Sequence, residues 1–356
     1  MEVRNFLIEE PFFSVCIPRY NRTSFLMEVC KSLMMQAFKN FEVCISDNCS
    51  TDGREEELLS FLKQSGLSFI YHKNERNLKL DGNMRASFDV ARGKYCFLLC
   101  SDDCLASPDS LGEVHAAIQS FGPVGVVITN YEDFFSGRKF QRIRKTGILG
   151  HGPEVVVRNF RKFSFGSGVL LNTRKAKEHA TAKWDGSEYY HLFIGCRIVA
   201  EGAPLLGIDR VIVRQGIQIA GEQVESYASK PRLKHCPVVE RKLPFNMFGR
   251  LVADAIGPYT QPLKSKKFYE NIFFQIFVFP YLYWIIEYRR VQSWRYALGI
   301  CIGMRPRNVL EGLHLSWWRS TRLFTLYGLI TFLGLIFPIK LFKALEPQLY
   351  SMAKAF

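Results

Sequence analysis

The chain has 356 residues, of which 48% are apolar and 22% charged, and it carries a net charge of +14. That size and balance describe a folded protein with room for one large domain and an appendage, or for two domains. They exclude a small stapled scaffold: the ten cysteines include no C-x-x-C pair, and Cys96, Cys100 and Cys104 are spaced by four, the first two inside an apolar run. The positive charge points to anionic partners: phosphate-bearing ligands, acidic lipid headgroups or nucleic acid. The opening segment MEVRNFLIEEPFF carries acids and lacks the apolar core of a secretory leader, so a cytoplasmic location is expected.

Apolar runs at 12–18, 41–47, 68–72, 95–100 and 124–129 alternate with helical patterns. Examples are Phe25, Leu26, Val29 and Leu33, and then Leu58, Leu59 and Leu62. Strands alternating with helices predict an α/β domain with a mostly parallel sheet, and ligands of such sheets bind beyond the carboxyl ends of the strands. Those ends are polar here. The first reads PRYNR (Pro18, Tyr20, Arg22), the second SDNCSTD (Asp47, Asn48), the third NERNLKLDGN (Asn77, Asn83), and the fourth stops on Asp102 and Asp103. One polar strand end is a turn; four after buried strands predict a shared crevice. Adjacent aspartates repel, so something positive is expected beside them.

Further on, RKFQRIRKTGIL reads as a hairpin arm, and FSFGSGVLLN places two glycines before a strand. WDGSEYYHLFIGCRIVAEG reads as a helix opened by Asp185 or Ser187 as cap, with His191 in a structural role. Beyond residue 215 the composition shifts. Sixteen Lys or Arg stand against five Asp or Glu between Lys230 and Arg322, and four of the five tryptophans lie there. Two apolar patches, 272–286 and 323–337, fall short of the ~20 residues that span a bilayer. Beside YRRVQSWRY and WWRSTR they predict interfacial helices between about 268 and 345, with arginines on lipid phosphates. The interleaving of charge with long apolar patches suits lipid better than nucleic acid, so no nucleic-acid partner is expected.

SVCIPRYNR, FEVCISDNCSTD, an Asn-rich segment and GKYCFLLCSDD, in that order and spacing, resemble the family 2 glycosyltransferases with the GT-A fold. The likeness is strong over 12–108, weak over 109–215 and absent beyond. It departs from the family pattern at Cys100, where members often have Asp, and at Asn48, where many have a second Asp. The resemblance implies an α/β, Rossmann-like GT-A catalytic domain over 1–215, and the composition predicts a helical, membrane-associating region over 216–356. It implies a nucleotide-diphosphate sugar donor, with Asp47 on the nucleobase, Pro18, Tyr20 and Arg22 lining its pocket, and Asn77 and Asn83 flanking the nucleoside or sugar. It implies Mn²⁺ or Mg²⁺ held by Asp102 and Asp103, or by one of them while the other, Asp102 included, meets the ribose. Glu188 stands at the family position of the catalytic base, and Asp185 is the alternative.

The expectation is an inverting, metal-dependent transferase acting on a lipid-linked saccharide at the cytoplasmic face of the plasma membrane, in surface polysaccharide synthesis of the bacterial O-antigen type. A sugar nucleotidyltransferase is the enzymatic rival, but CIPRYNR lacks that class's Gly-rich loop. A membrane-bound scaffold with a decayed transferase domain is the non-enzymatic rival, and the intact carboxylates argue against it.

Overall fold

In a computed structural model, residues 1–219, 244–291 and 293–345 are described. The basic run from Lys230 to residue 243 lies outside them. The first half builds β1 (Glu2–Asn5), β2 (Phe13–Arg19), α1 (Thr23–Met34), β3 (Phe41–Asp47), α2 (Glu55–Gln64), β4 (Phe69–Lys73), α3 (Lys79–Asp89) and β5 (Tyr95–Leu98). It continues through β6 (Cys104–Leu105), α4 (Ser110–Phe121), β7 (Val126–Asp133), β8 (Lys139–Phe140), β9 (Gly147–Gly150), α5 (Pro153–Asn159), β10 (Val169–Asn172), α6 (Thr173–Glu178), α7 (Tyr190–Ala200) and β11 (Leu205–Gln215).

The sheet runs β1-β4-β3-β2-β5-β10-β7-β11-β6. It is parallel through β4-β3-β2-β5, turns antiparallel where β10 inserts between β5 and β7, and becomes parallel again at β7-β11. β1, absent from the sequence reading, covers the outer edge by pairing with β4. Its burial alternates without an apolar run, so no strand pattern announced it. β2 and β3 are buried at every position because helices cover both faces, which is why they read as unbroken apolar runs. Val15, Ile17, Val43 and Ile45 face α1 and α2, while Cys16, Cys44 and Cys96 face the other side as small buried hydrophobes. Burial pushes the Cys16 and Cys44 thiols up, away from reactivity.

The C-terminal part is helical: α8 (Pro244–Ile256), α9 (Pro262–Ile276), α10 (Leu282–Val291), α11 (Trp294–Gly303), α12 (Pro306–Val309) and α13 (Trp317–Ile336). These helices share one hydrophobic core with the sheet face that carries α3 and α7. Phe248 meets Phe160, Gln275 donates to the Val157 carbonyl, and Trp184 donates to Asp254.

The two apolar patches do different things. The 272–286 patch was expected at a membrane surface, yet Ile272, Phe273, Ile276, Phe277, Tyr281, Ile285 and Ile286 are buried. Its π-helical turn Phe277–Tyr281, which accommodates Pro280, packs against α13, and Tyr281 bonds Thr331. Several arginines expected on lipid phosphates also have internal partners. Arg319 and Arg322 pair with Glu270, Arg290 with Glu287, and Arg289 donates to the Gly334 and Phe337 carbonyls at the end of α13. The 323–337 patch behaves otherwise. Leu323, Ile330 and Gly334 of α13 face inward, while Trp317, Trp318, Phe324, Leu329, Phe332 and Ile336 stand exposed.

Candidate active site

The parallel strands deliver their carboxyl ends to one side of the sheet. At the end of β2, Arg19 is fully buried and donates to Thr23 and to both oxygens of Asp52, with Asp47 3.4 Å away. Asp47 closes β3. Its carboxylate accepts from the Tyr71 hydroxyl (2.5 Å) and the Ser50 N–H (2.7 Å), and none of the residue is exposed. Through these contacts Asp47 ties three strand ends together. Asn83 is also buried: it donates to the Arg19 carbonyl and accepts from Ser46 and Asn74, a cross-brace between β2, β3 and the Asn-rich loop.

Other expected wall residues remain outside. Tyr20 is 45% exposed, Asn77 is exposed and holds Asn48, and Pro18 is buried beneath them. Asn48, standing in for the family's second Asp, also accepts from the Leu78 N–H and so pins the Asn-rich loop to β3.

The Arg22 backbone is left-handed (φ 58), following Asn21 (φ 55), and the guanidinium reaches Asp102 at 2.7 Å. It meets the acidic motif. This is the positive partner that the paired aspartates called for.

Ligand atoms of Cys100, Asp102 and Asp103 all lie within 4.8 Å of one another. Asp102 is partly exposed. Asp103 lies below it, 4% exposed, accepting from the Ser167 hydroxyl (2.5 Å) and the Gly216 N–H (3.0 Å). Burial and the neighbouring Asp102 charge push the Asp103 carboxyl up to about 8. The set fits a divalent cation, because two carboxylates and a thiol converge and Asp102 is partly exposed beside its Arg22 pair. Asp102 is the residue best placed to hold it, with Cys100 and Asp103 as neighbours.

The second group of carboxylates lies on the loop before α7. The helix starts at Tyr190, not at Asp185, and Ser187 accepts only from the Tyr189 N–H. Asp185 is no cap: it forms a bidentate pair with Arg85 of α3 at 2.7 and 2.9 Å. The capping comes from Asp81, also on α3, which sequence reasoning missed. Its buried carboxylate accepts the N–H groups of Gly186 (2.8 Å), Glu188 (2.9 Å) and Tyr190 (3.0 Å). Burial raises the Asp81 carboxyl, and the three N–H groups oppose that rise. Glu188 is thereby held at φ 63, a conformation that a non-glycine residue adopts only when its surroundings fix it. His191 is structural, as expected. Its Nε2 lies 2.8 Å from the Phe163 carbonyl, and burial lowers its pKa to about 4.

A mixed α/β sheet with an acidic cluster at a strand end, faced by a helix-anchored carboxylate loop, defines a transferase of the GT-A class. Residues 14–178 match the family model described as Glycosyl transferase family 2, so the chain carries a domain of that family. Abequosyltransferase RfbV of Salmonella typhimurium is 42% identical over 109 residues, 30% of this chain and 32% of that protein. The amylovoran biosynthesis glycosyltransferase AmsB of Erwinia amylovora is 35% identical over 92 residues, 26% of this chain and 31% of that protein. The matched segments thus span about a third of these relatives' length. The structure of S. aureus TarS 1–349 in complex with UDP superposes over 90% of both chains with a TM-score of 0.59 at 15% identity, a likeness of fold.

Proposed function

We propose that the protein transfers a sugar, with inversion, from a nucleotide-diphosphate sugar to a hydroxyl of a membrane-presented, lipid-linked saccharide during surface polysaccharide synthesis. The observation that carries this is the Cys100, Asp102 and Asp103 group at the end of β5, inside a family 2 domain. Asp102 would hold Mn²⁺ or Mg²⁺, which suit carboxylate oxygen. When bound, such a cation neutralises charge on the departing diphosphate. Tyr20 and Asn77 offer exposed contacts for the nucleoside. Arg22 supplies a second positive group beside the diphosphate. Glu188 takes the proton from the acceptor hydroxyl, and one base opposite the leaving group gives inversion.

The exposed face of α13 supports attachment to the cytoplasmic surface of the plasma membrane. No single described helix is long and apolar enough to cross a membrane. α13 and the segment Ile339–Leu345 pass together but are bent by 102°, which suits a monotopic insertion. The test is transfer by the purified full chain, with Mn²⁺ or with chelator, across a panel of nucleotide sugars and a membrane-extracted acceptor. Absence of transfer with every donor, or transfer indifferent to chelator, overturns the respective part of the reading.

A further inference from the structure

The arm RKFQRIRKTGIL and the turn after α5 bring Arg144, Arg161 and Lys162 together. Arg142 is fully buried, and its guanidinium donates to the carbonyls of Thr129, Lys162, Phe165 and Ser167. It thereby fixes the turn that presents Arg161 and Lys162. Lys162 donates only to the neutral Asn159 amide, and Arg161 Nε is shut off from solvent without a hydrogen-bond partner. Among the described residues no carboxylate pairs with Arg144, Arg161 or Lys162, and the nearby Glu154 is taken by Arg158. Burial, and then the charges of Arg161 and Arg144, lower the Lys162 ammonium, while burial alone lowers Arg161. Holding three cations together, two of them half-buried, costs stability unless an anion joins them.

The place of this cluster matters. The next residue, Phe163, accepts from His191, one turn along from the Glu188 loop. Four residues further, Ser167 donates to Asp103 and accepts the Cys100 N–H. The turn that carries the cluster is thus tied by hydrogen bonds both to the helix behind the Glu188 loop and to the Asp103 motif.

We propose that Arg144, Arg161 and Lys162 form an anion site for a phosphate of a membrane lipid, either the acceptor's own diphosphate link or an anionic headgroup. This rests on the reading of a membrane-presented acceptor. Arginine suits the task because its planar fork matches phosphate oxygens in pairs.

The test uses the full chain in chelator, so that the Asp102 motif holds no cation. Binding is measured for farnesyl diphosphate against farnesol in neutral detergent, and for phosphatidylcholine vesicles with and without phosphatidylglycerol. Arg161→Gln and Lys162→Gln should each weaken binding about tenfold or more and melt at or above the wild-type temperature. Loss confined to farnesyl diphosphate identifies the acceptor link; loss confined to phosphatidylglycerol vesicles identifies headgroups. Unchanged binding in both arms, or a lowered melting temperature without a binding change, overturns the site. Arg161-dependent binding in a protein that transfers sugar to no lipid-linked acceptor would leave the site standing and remove the functional reading instead.

Discussion

Asp81 offers the sharpest test of how the acceptor side is built. Replacing it with Asn keeps the shape but changes the chemistry. One carboxylate oxygen becomes an NH₂, which faces backbone N–H groups that need an acceptor. Two of the three bonds, to Gly186 and Glu188, go to Oδ2, and the third, to Tyr190, goes to Oδ1. If the amide keeps its oxygen on the Tyr190 N–H, two charge-assisted bonds are lost. At ~1.5–3 kcal/mol per bond to a charged group, and less than full additivity, the variant should lose about 2–4 kcal/mol. In a protein of this size that lowers the melting temperature by about 3–5 °C. The larger effect falls on turnover, because Glu188 is no longer held in its left-handed conformation. A misplacement of about 1 Å costs on the order of 100-fold in rate. The assay is kcat and KM with a saturating acceptor, donor affinity by calorimetry, and hydrogen exchange of segment 184–191. Slowed turnover with intact donor affinity and faster exchange in that segment is expected. Faster exchange with turnover within threefold of wild type would remove Glu188 from the chemistry; unchanged exchange would remove Asp81 from the anchoring.

The remaining predictions address each group in turn. Asp102→Asn should abolish transfer and weaken Mn²⁺ binding, followed by electron paramagnetic resonance, with the fold intact; normal transfer by this variant would contradict the metal role. Glu188→Gln should keep donor affinity and lower turnover by at least ~100-fold, whereas Asp185→Asn, which loses only a partly exposed pair with Arg85, should stay within a few-fold; the reverse ranking would move the base to Asp185. His191 is kept neutral until about pH 4, while the unfolded chain takes up its proton near 6.5. The unfolded state then binds more protons over that window, so stability falls as pH drops from 6.5 towards 4, by up to ~3 kcal/mol. His191→Gln should flatten that part of the melting-temperature profile, and an unaltered slope would refute the assignment. On α13, Trp318→Ser with Phe332→Ser should weaken vesicle binding at least tenfold, since each buried aromatic contributes about 1.5–3 kcal/mol; vesicle binding equal to wild type would free this face from the membrane.

Much of the donor half could be read in advance because parallel strands buried on both faces leave an unbroken apolar signature that stops at a polar end. The ranges 41–47 and 95–100 fell within two residues of β3 and β5. What escaped was which polar side chains turn inward. Asp47 and Asn83 look the same in sequence as Asp102 and Asn77, and only the crossing of Tyr71, Ser46 and Arg19 turns the first pair inward. Asp81 gave no signal, since an acid in the first turn of a helix is ordinary, and its partners lie more than 100 residues away. The 272–286 patch misled for a similar reason. An aromatic apolar run is the same whether lipid or protein covers it, and here α13 covers it.

Helix α3 is the element that joins the Asn-rich loop to the loop carrying Glu188. Its approach passes the Asn-rich loop that Asn48 pins to β3. Asn83, in its second turn, braces β2 and β3. Asp81 and Arg85, four residues apart and so on one helical face, grip the loop that carries Glu188. A donor that presses on the Asn-rich loop therefore acts on the same rigid body that sets the position of the base. Such a connection makes donor occupancy and acceptor activation mutually dependent without a separate moving lid. It predicts that Arg85→Gln, which leaves Asp81 in place and loses the Asp185 pair, the bond to the Thr181 carbonyl and the stacking over Tyr190, weakens the coupling while sparing each binding step. In kinetic terms, the variant should show acceptor KM and donor affinity near wild type, with the synergy between the two substrates reduced. Synergy equal to wild type would mean that Asp81 alone carries the connection.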